Sequence, residues 1–307
     1  MIKPHILQSK AWQKFEEALG RPTIDKKSKK WQYMAYLEKG RFSSRLYCPY
    51  GPTVADKKAL KEAVLDLATE AKKLNADFIR VEPRGDFTIQ DLKNLGLKKV
   101  HNVQPANTLI KDVSASPEEI LASLSQTARR YARKAEKAGV TYSVSYEPED
   151  VKHFIKTIND VHNRTGMNPY PDSYYKTLAT TLFPDKTAGL LLAWYEGKVV
   201  ASIMFLHIDD TFSYTYAGNL AEYRKFSPAV GLGQFALLYA HELGCKYFDW
   251  YGIAPEGASK SHSWAGFTQF KLSFGGKRYD MAGTWELPLN RPKYALYRIL
   301  LKLTGKS

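Results

Sequence analysis

Three stretches carry residues whose type and spacing could do chemistry. In Ser-Pro-Ala-Val-Gly-Leu-Gly-Gln-Phe, Ser227 to Phe235, a glycine pair opens a helix pattern. Bare amides at a helix N-terminus bind phosphate groups, but close packing of an ordinary helix start calls for the same glycines, and we favour that reading. In Ser125 to Gly139, the residues Arg129, Arg130, Arg133, Lys134 and Lys137 fall at helical spacing, opposed only by Glu136. This basic stripe fits a grip on phosphates and a solvated helix surface equally well. The third stretch is Phe-Thr-Gln-Phe-Lys-Leu-Ser-Phe-Gly-Gly, Phe267 to Gly276. Read with a period of two it is an amphipathic strand, with Thr268, Phe270, Leu272 and Phe274 on one face and Gln269, Lys271 and Ser273 on the other. From this segment alone, Lys271 faces solvent. Other chemistries lack their parts. No Gly-x-Ser-x-Gly elbow, no His-x-x-x-His pair, no Gly-x-x-x-x-Gly-Lys loop and no Cys/His zinc spacing is present.

The chain that must position these residues has 307 of them, long for one core and suited to two. Its net charge of +14 implies an anionic partner: nucleic acid, a phosphorylated metabolite or an acidic membrane surface. Two distant cysteines make no disulfide framework, the start lacks a signal-peptide core, and no apolar run reaches the ~20 residues of a membrane span. The expectation is a soluble, cytoplasmic protein. One order of elements appears twice. A strand hairpin turning at Lys39-Gly40 leads to a helix over Lys57 to Leu74, with Leu60, Val64, Leu67, Ala68 and Ala71 on one face, then to a buried strand ended by Pro83. Later strands turning at Glu196-Gly197 and Asp209-Asp210 lead to a helix from Pro228 to Leu243 and the strand Cys-Lys-Tyr-Phe-Asp-Trp-Tyr-Gly-Ile. The chain therefore reads as two related α/β halves, 1–145 and 146–289, joined near Tyr142 to Asp150. A basic amphipathic helix over 290–307 completes the first half, its face Tyr294, Tyr297 and Leu301 packed on a domain.

The glycine pair sits where acetyltransferases of the GNAT type carry Arg/Gln-x-x-Gly-x-Gly/Ala for coenzyme A; here Pro228 replaces the leading Arg/Gln. More of the chain resembles the FemABX family of peptidoglycan aminoacyltransferases. The motifs run in order: Leu-Gln-Ser-Lys-Ala-Trp-Gln-Lys-Phe near the start, Cys-Pro-Tyr-Gly-Pro-Thr-Val, Asn-Val-Gln-Pro-Ala-Asn-Thr-Leu-Ile-Lys-Asp-Val, the basic helix, Arg-Thr-Gly followed by Tyr174-Tyr175, Tyr-Thr-Tyr-Ala-Gly-Asn, Tyr-Phe-Asp-Trp-Tyr-Gly-Ile and Phe-Lys-Leu-Ser-Phe-Gly-Gly. The resemblance implies an α/β fold with mixed sheets, built from two tandem GNAT-like acyltransferase domains, the second carrying the transfer site. It implies transfer of an amino acid from aminoacyl-tRNA to an amine of a UDP-linked or lipid-linked peptidoglycan precursor, with no cofactor and no metal. It places Lys271 in the transfer site, where an ammonium would steady the oxyanion formed when the amine attacks the ester. Tyr214 and Tyr216, on one face of their strand, would position substrate beside it, and Phe270 of the same motif would bind substrate. Lys14 and Tyr174 would touch the precursor. Tyr170 stands where the nucleotide-using branch has a diphosphate-pairing arginine, for which Arg164 partly compensates. The stripe Arg129, Arg130, Arg133, Lys134 and Lys137 would meet tRNA. A monomer in the cytoplasm, in peripheral contact with the inner membrane face, completes the expectation. The alternatives are an acyl-coenzyme A-dependent N-acyltransferase and a non-catalytic basic RNA-binding protein.

Overall fold

The computed structural model describes residues 5–303. They divide into two compact units, one holding the chain up to Ala106 together with the segment from Asp280, the other Asn107–Tyr279.

The first unit contains β1 (Thr23–Lys27), β2 (Trp31–Lys39), β3 (Ser44–Cys48), β4 (Thr53–Val54), β5 (Phe78–Val81) and β6 (Lys98–Lys99), with helices α1 (Lys10–Ala18), α2 (Lys57–Lys73) and α3 (Ile89–Asn94). β2 and β3 form an antiparallel hairpin, and α2 crosses over to β5, which runs parallel to β3. α2 begins at Asp56, whose carboxylate accepts the Ala59 N–H at 2.7 Å. The face expected from its periodicity, Leu60, Val64, Leu67, Ala68 and Ala71, is buried against Tyr33, Leu46, Ile79 and Val81. Each such leucine contributes about 1.5–3 kcal/mol by leaving water.

The second unit contains β7 (Asn107–Asp112), β8 (Thr141–Ser145), β9 (Ala188–Tyr195), β10 (Lys198–Ile208), β11 (Thr211–Asn219), β12 (Tyr247–Gly252) and β13 (Lys277–Asp280). Its helices are α4 (Pro117–Ala122), α5 (Gln126–Lys137), α6 (Val151–Thr165), α7 (Asp172–Leu182), α8 (Pro228–Glu242) and α9 (Ala265–Leu272). The sheet order is β13-β7-β12-β11-β10-β9-β8. The expected repeat is present here too: the β10–β11 hairpin, the crossover helix α8, then β12 parallel to β11. The chain finally returns to the first unit as β14 (Trp285–Pro288) and α10 (Arg291–Leu303). The last residues of the helix expected over 290–307 lie outside the described residues.

Two expectations need correction. The join between the halves is at Ala106/Asn107, not near residue 145, and residues 280–289 belong with the first unit. The reason is strand exchange in the chain order: β7 pairs with β12, and β14 inserts between β5 and β6. A reading that follows the chain linearly cannot see either. Second, Phe267–Leu272 is helix, not strand. A short apolar run satisfies both periods, and the pair Gly275-Gly276, at φ 78° and 127°, ends a helix here.

The glycine pair serves packing. A Cβ on Gly231 would lie within 1.7 Å of the Tyr142 hydroxyl, and one on Gly233 within 2.7 Å of the Phe274 ring. Gly231→Ala is therefore expected to destabilise the second unit by about 1–3 kcal/mol through overpacking, read as a lower urea midpoint. An unchanged midpoint would show that Tyr142 moves aside at no cost.

Candidate active site

β11 and β12 are paired only over Thr211–Ser213 and Tyr247–Asp249, although β11 continues to Asn219 and β12 to Gly252. Past the last paired residues the two parallel strands leave a notch, and Lys271 of α9 reaches into it. Its side chain is 7% exposed. Nζ donates to the Gly252 carbonyl at 2.7 Å and lies 5.4 Å from the Tyr214 ring centroid and 5.1 Å from that of Phe267. The solvent-facing lysine read from the segment alone is thus overturned, because a helix turns position 271 inward with Thr268, three residues before it.

Burial lowers the Lys271 pKa to about 7, opposed by the negative charge of Asp249. Asp249 is itself buried. It accepts the Thr108 hydroxyl of β7 and, at 2.8 Å, the Tyr251 N–H. Tyr251 holds φ at 60°, a left-handed conformation uncommon for tyrosine, between the N–H on Asp249 and the Gly252 carbonyl on Lys271. Tyr214 packs on Trp250 at 5.2 Å, and burial pushes its phenol up, so it stays a neutral donor. Phe270 meets Trp250 edge-on at 6.0 Å and Phe274 at 5.1 Å, anchoring α9 to the core.

Tyr214 and Tyr216 do not share a face. Across the β10–β11 ladder Tyr216 is opposite Met204 and Tyr214 opposite Phe205. Cross-strand partners share a face and neighbours along a strand do not, so the bulge at Thr215 turns the two tyrosines to opposite sides. Tyr214 joins the core on the α8 side, with Leu232, Ala236 and Trp250. Tyr216 joins the tyrosines of the α7 region. Its hydroxyl bonds that of Tyr174 at 3.1 Å, and its ring is 5.5 Å from Tyr175 and 6.2 Å from Tyr170. Tyr170, 44% exposed, stacks on Tyr174 at 4.0 Å, and burial raises the Tyr175 phenol to about 12. Arg164, near the end of α6, donates to Asn219 Oδ1 at 3.1 Å and lies 3.7 Å from Asp160.

Lys14 lies on the exposed side of α1 in the first unit. On α5, Ala128, Ala132 and Ala135 are buried, while Arg130, Arg133, Lys134 and Lys137 are exposed. Arg129 is half-buried, donating to the Ala122 carbonyl at 3.0 Å. Asp249, Thr108 and Tyr175 were missed from sequence. Asp249 had left a signal: a carboxylate between Phe248 and Trp250 on a buried strand needs partners. Among the described residues no group of three or more His, Cys, Asp or Glu could hold a metal ion.

Comparison with solved structures places this architecture among tandem GNAT-like folds. The crystal structure of FemX matches with a TM-score of 0.81 at 21% identity, covering 95% of this chain and 94% of that one. A tandem GNAT protein from the clavulanic acid biosynthesis pathway matches at 0.53 and 12% identity, over 85% and 81%. Among curated proteins, the Lipid II:glycine glycyltransferase of Staphylococcus aureus strain USA300 is 22% identical over 322 residues, covering 79% of this chain and 76% of that relative. The model of the FemAB family matches twice in succession, over residues 92–198 and 195–302. With both matches falling on the units that carry the notch and the returning strand, the chain belongs to the FemAB family.

Proposed function

We propose that this enzyme, an aminoacyltransferase, moves an amino acid from aminoacyl-tRNA to an amine on a lipid-linked peptidoglycan precursor. The observation that carries this reading is the desolvated Lys271 at the β11–β12 notch, in a chain of this family. The relative that acts on lipid II, by its name, supports the lipid-linked acceptor over the nucleotide-linked one.

The acceptor nitrogen attacks the carbonyl carbon of the ester, a C–N bond forms and the carbonyl oxygen becomes an oxyanion. The nitrogen then sheds a proton as the ribose oxygen leaves and gains one. With its pKa near neutrality, Lys271 is present both as ammonium and as free amine, suited to taking the first proton and returning the second. Its charged form steadies the oxyanion. Tyr214 adds a neutral hydroxyl donor on the same side of the sheet. Tyr216, Tyr174 and Tyr170 act on the opposite face as a substrate-binding wall, with Arg164 nearby along β11. The exposed cations of α5 and the net charge of +14 serve tRNA phosphates. The ester is already activated, so the step calls for no cofactor. No helix among the described residues is long and apolar enough to cross a membrane. An aminoacyl-tRNA donor is confined to the cytoplasm, and in this reading the enzyme meets its acceptor from that side.

The test supplies purified protein with charged tRNAs and both precursor forms. A gain in mass of the lipid-linked form that corresponds to added amino acid is expected. Coenzyme A binding with no tRNA-dependent product would replace this reading with the acyl-coenzyme A one. Salt-sensitive RNA binding without any product would replace it with the non-catalytic one.

A further inference from the structure

α10 has two apolar sides. Tyr294 and Tyr297 face inward, against Phe78 at 5.3 and 5.1 Å. Leu296, Ile299 and Leu303 are spaced by three and four residues, share the other side and are 52%, 56% and 78% exposed. A surface helix normally turns polar groups outward. Large aliphatics at three successive outward positions therefore ask for an apolar partner.

The charges around the stripe say which. No acidic residue follows Arg291. Arg291 and Lys302 are exposed on the helix, and Lys98 of β6 sits beside it, 5.5 Å from the Tyr294 ring. Lys293 and Arg298 lean back to Asp77 at 3.4 Å and Glu286 at 3.9 Å. An aliphatic ridge flanked by cations on a convex helix matches the boundary between acyl chains and anionic headgroups. A groove-shaped protein partner would need a concave or flat counterpart and acidic groups of its own.

We propose that the outer face of α10 docks on an anionic bilayer surface, lying in its plane and sinking Leu296, Ile299 and Leu303 below the headgroups. The inference rests on the reading that the acceptor is membrane-borne only for its use, since the residues that carry it are not those of the transfer site.

The experiment is co-sedimentation of the full chain with vesicles containing no acceptor, made either of phosphatidylcholine alone or of phosphatidylcholine mixed with phosphatidylglycerol. Binding to the mixed vesicles, weakened by salt, is expected. Leu296→Glu combined with Ile299→Glu should lower that partition by about tenfold or more. Both positions are exposed, so the variant should keep its melting temperature, and transfer to a soluble precursor fragment should be unchanged. A chain that stays in the supernatant with both vesicle types overturns the proposal, as does binding that the double variant leaves intact. A concentration-dependent dimer broken by Leu296→Glu, without vesicle binding, would overturn it in favour of a second copy. Because the vesicles carry no acceptor, a failure of transfer leaves this outcome readable.

Discussion

Lys271→Met is expected to lower the transfer rate by about a thousandfold, the cost of removing an oxyanion donor in a water-poor site, and to make the protein more stable near pH 6. The second effect follows from linkage. In the folded chain burial holds the Lys271 pKa at about 7, against 10.5 for a free lysine. Between these values the unfolded chain binds the extra proton, so stability rises with pH across this window. Below pH 7 both states are protonated and the whole penalty applies, on the order of 5 kcal/mol. Methionine keeps the volume and removes the charge. From that gain must be subtracted about 1–3 kcal/mol for the lost bond to the Gly252 carbonyl. Calorimetry at pH 6 and pH 10 checks the sign: the advantage of the variant should shrink as pH rises. A variant that is less stable at pH 6 would show that Lys271 bears no desolvation penalty, and one that transfers at the original rate would take Lys271 out of the mechanism.

Arg80→Met is expected to destabilise the first unit by about 3–5 kcal/mol. Arg80 on β5 donates through Nε to Glu286 at 2.9 Å and through Nη2 to the Tyr297 hydroxyl at 3.0 Å. Glu286 on β14 is fully buried, with the Tyr294 hydroxyl donating to it at 2.8 Å. Removing the arginine leaves a carboxylate in the interior with one hydroxyl and, at 3.9 Å, Arg298. Changing both partners together, Arg80→Met with Glu286→Leu, should recover most of the loss, since no charge then remains unpaired. Urea unfolding of the single and double variants checks this. An additive double variant would show that the pair is not coupled.

The parts of the fold legible in sequence are those set by local periodicity. The inward face of α2 and the turns at Glu196-Gly197 and Asp209-Asp210 depend on residues a few positions apart, and all lie where expected. What could not be read is set by distant pairing. Which strand adjoins β5 is decided by residues more than two hundred positions away, so the boundary between the units was misplaced. The shared face of Tyr214 and Tyr216 failed on a single extra residue, because alternation carries no mark of a bulge at Thr215. Lys271 was singled out by family motif. Its neighbours Asp249 and Thr108 come from strands joined only in the folded sheet. On α10 the sequence shows two apolar sides, the inward tyrosines and the stripe of aliphatics, and hydropathy alone does not say which of them is covered.

The return of β14 to the first sheet also orders events during synthesis. A ribosome delivers residues 107–279 as one uninterrupted stretch, so this portion of the nascent polypeptide has every strand it needs once it clears the exit tunnel. The portion made earlier does not. Its β5 keeps a bare edge, and β6 has no neighbour to pair with, until Trp285–Pro288 has been translated. The amino-terminal half is born first and finished last, and while it waits its unpaired backbone is the place where a chaperone would bind or a misfolded adduct would start.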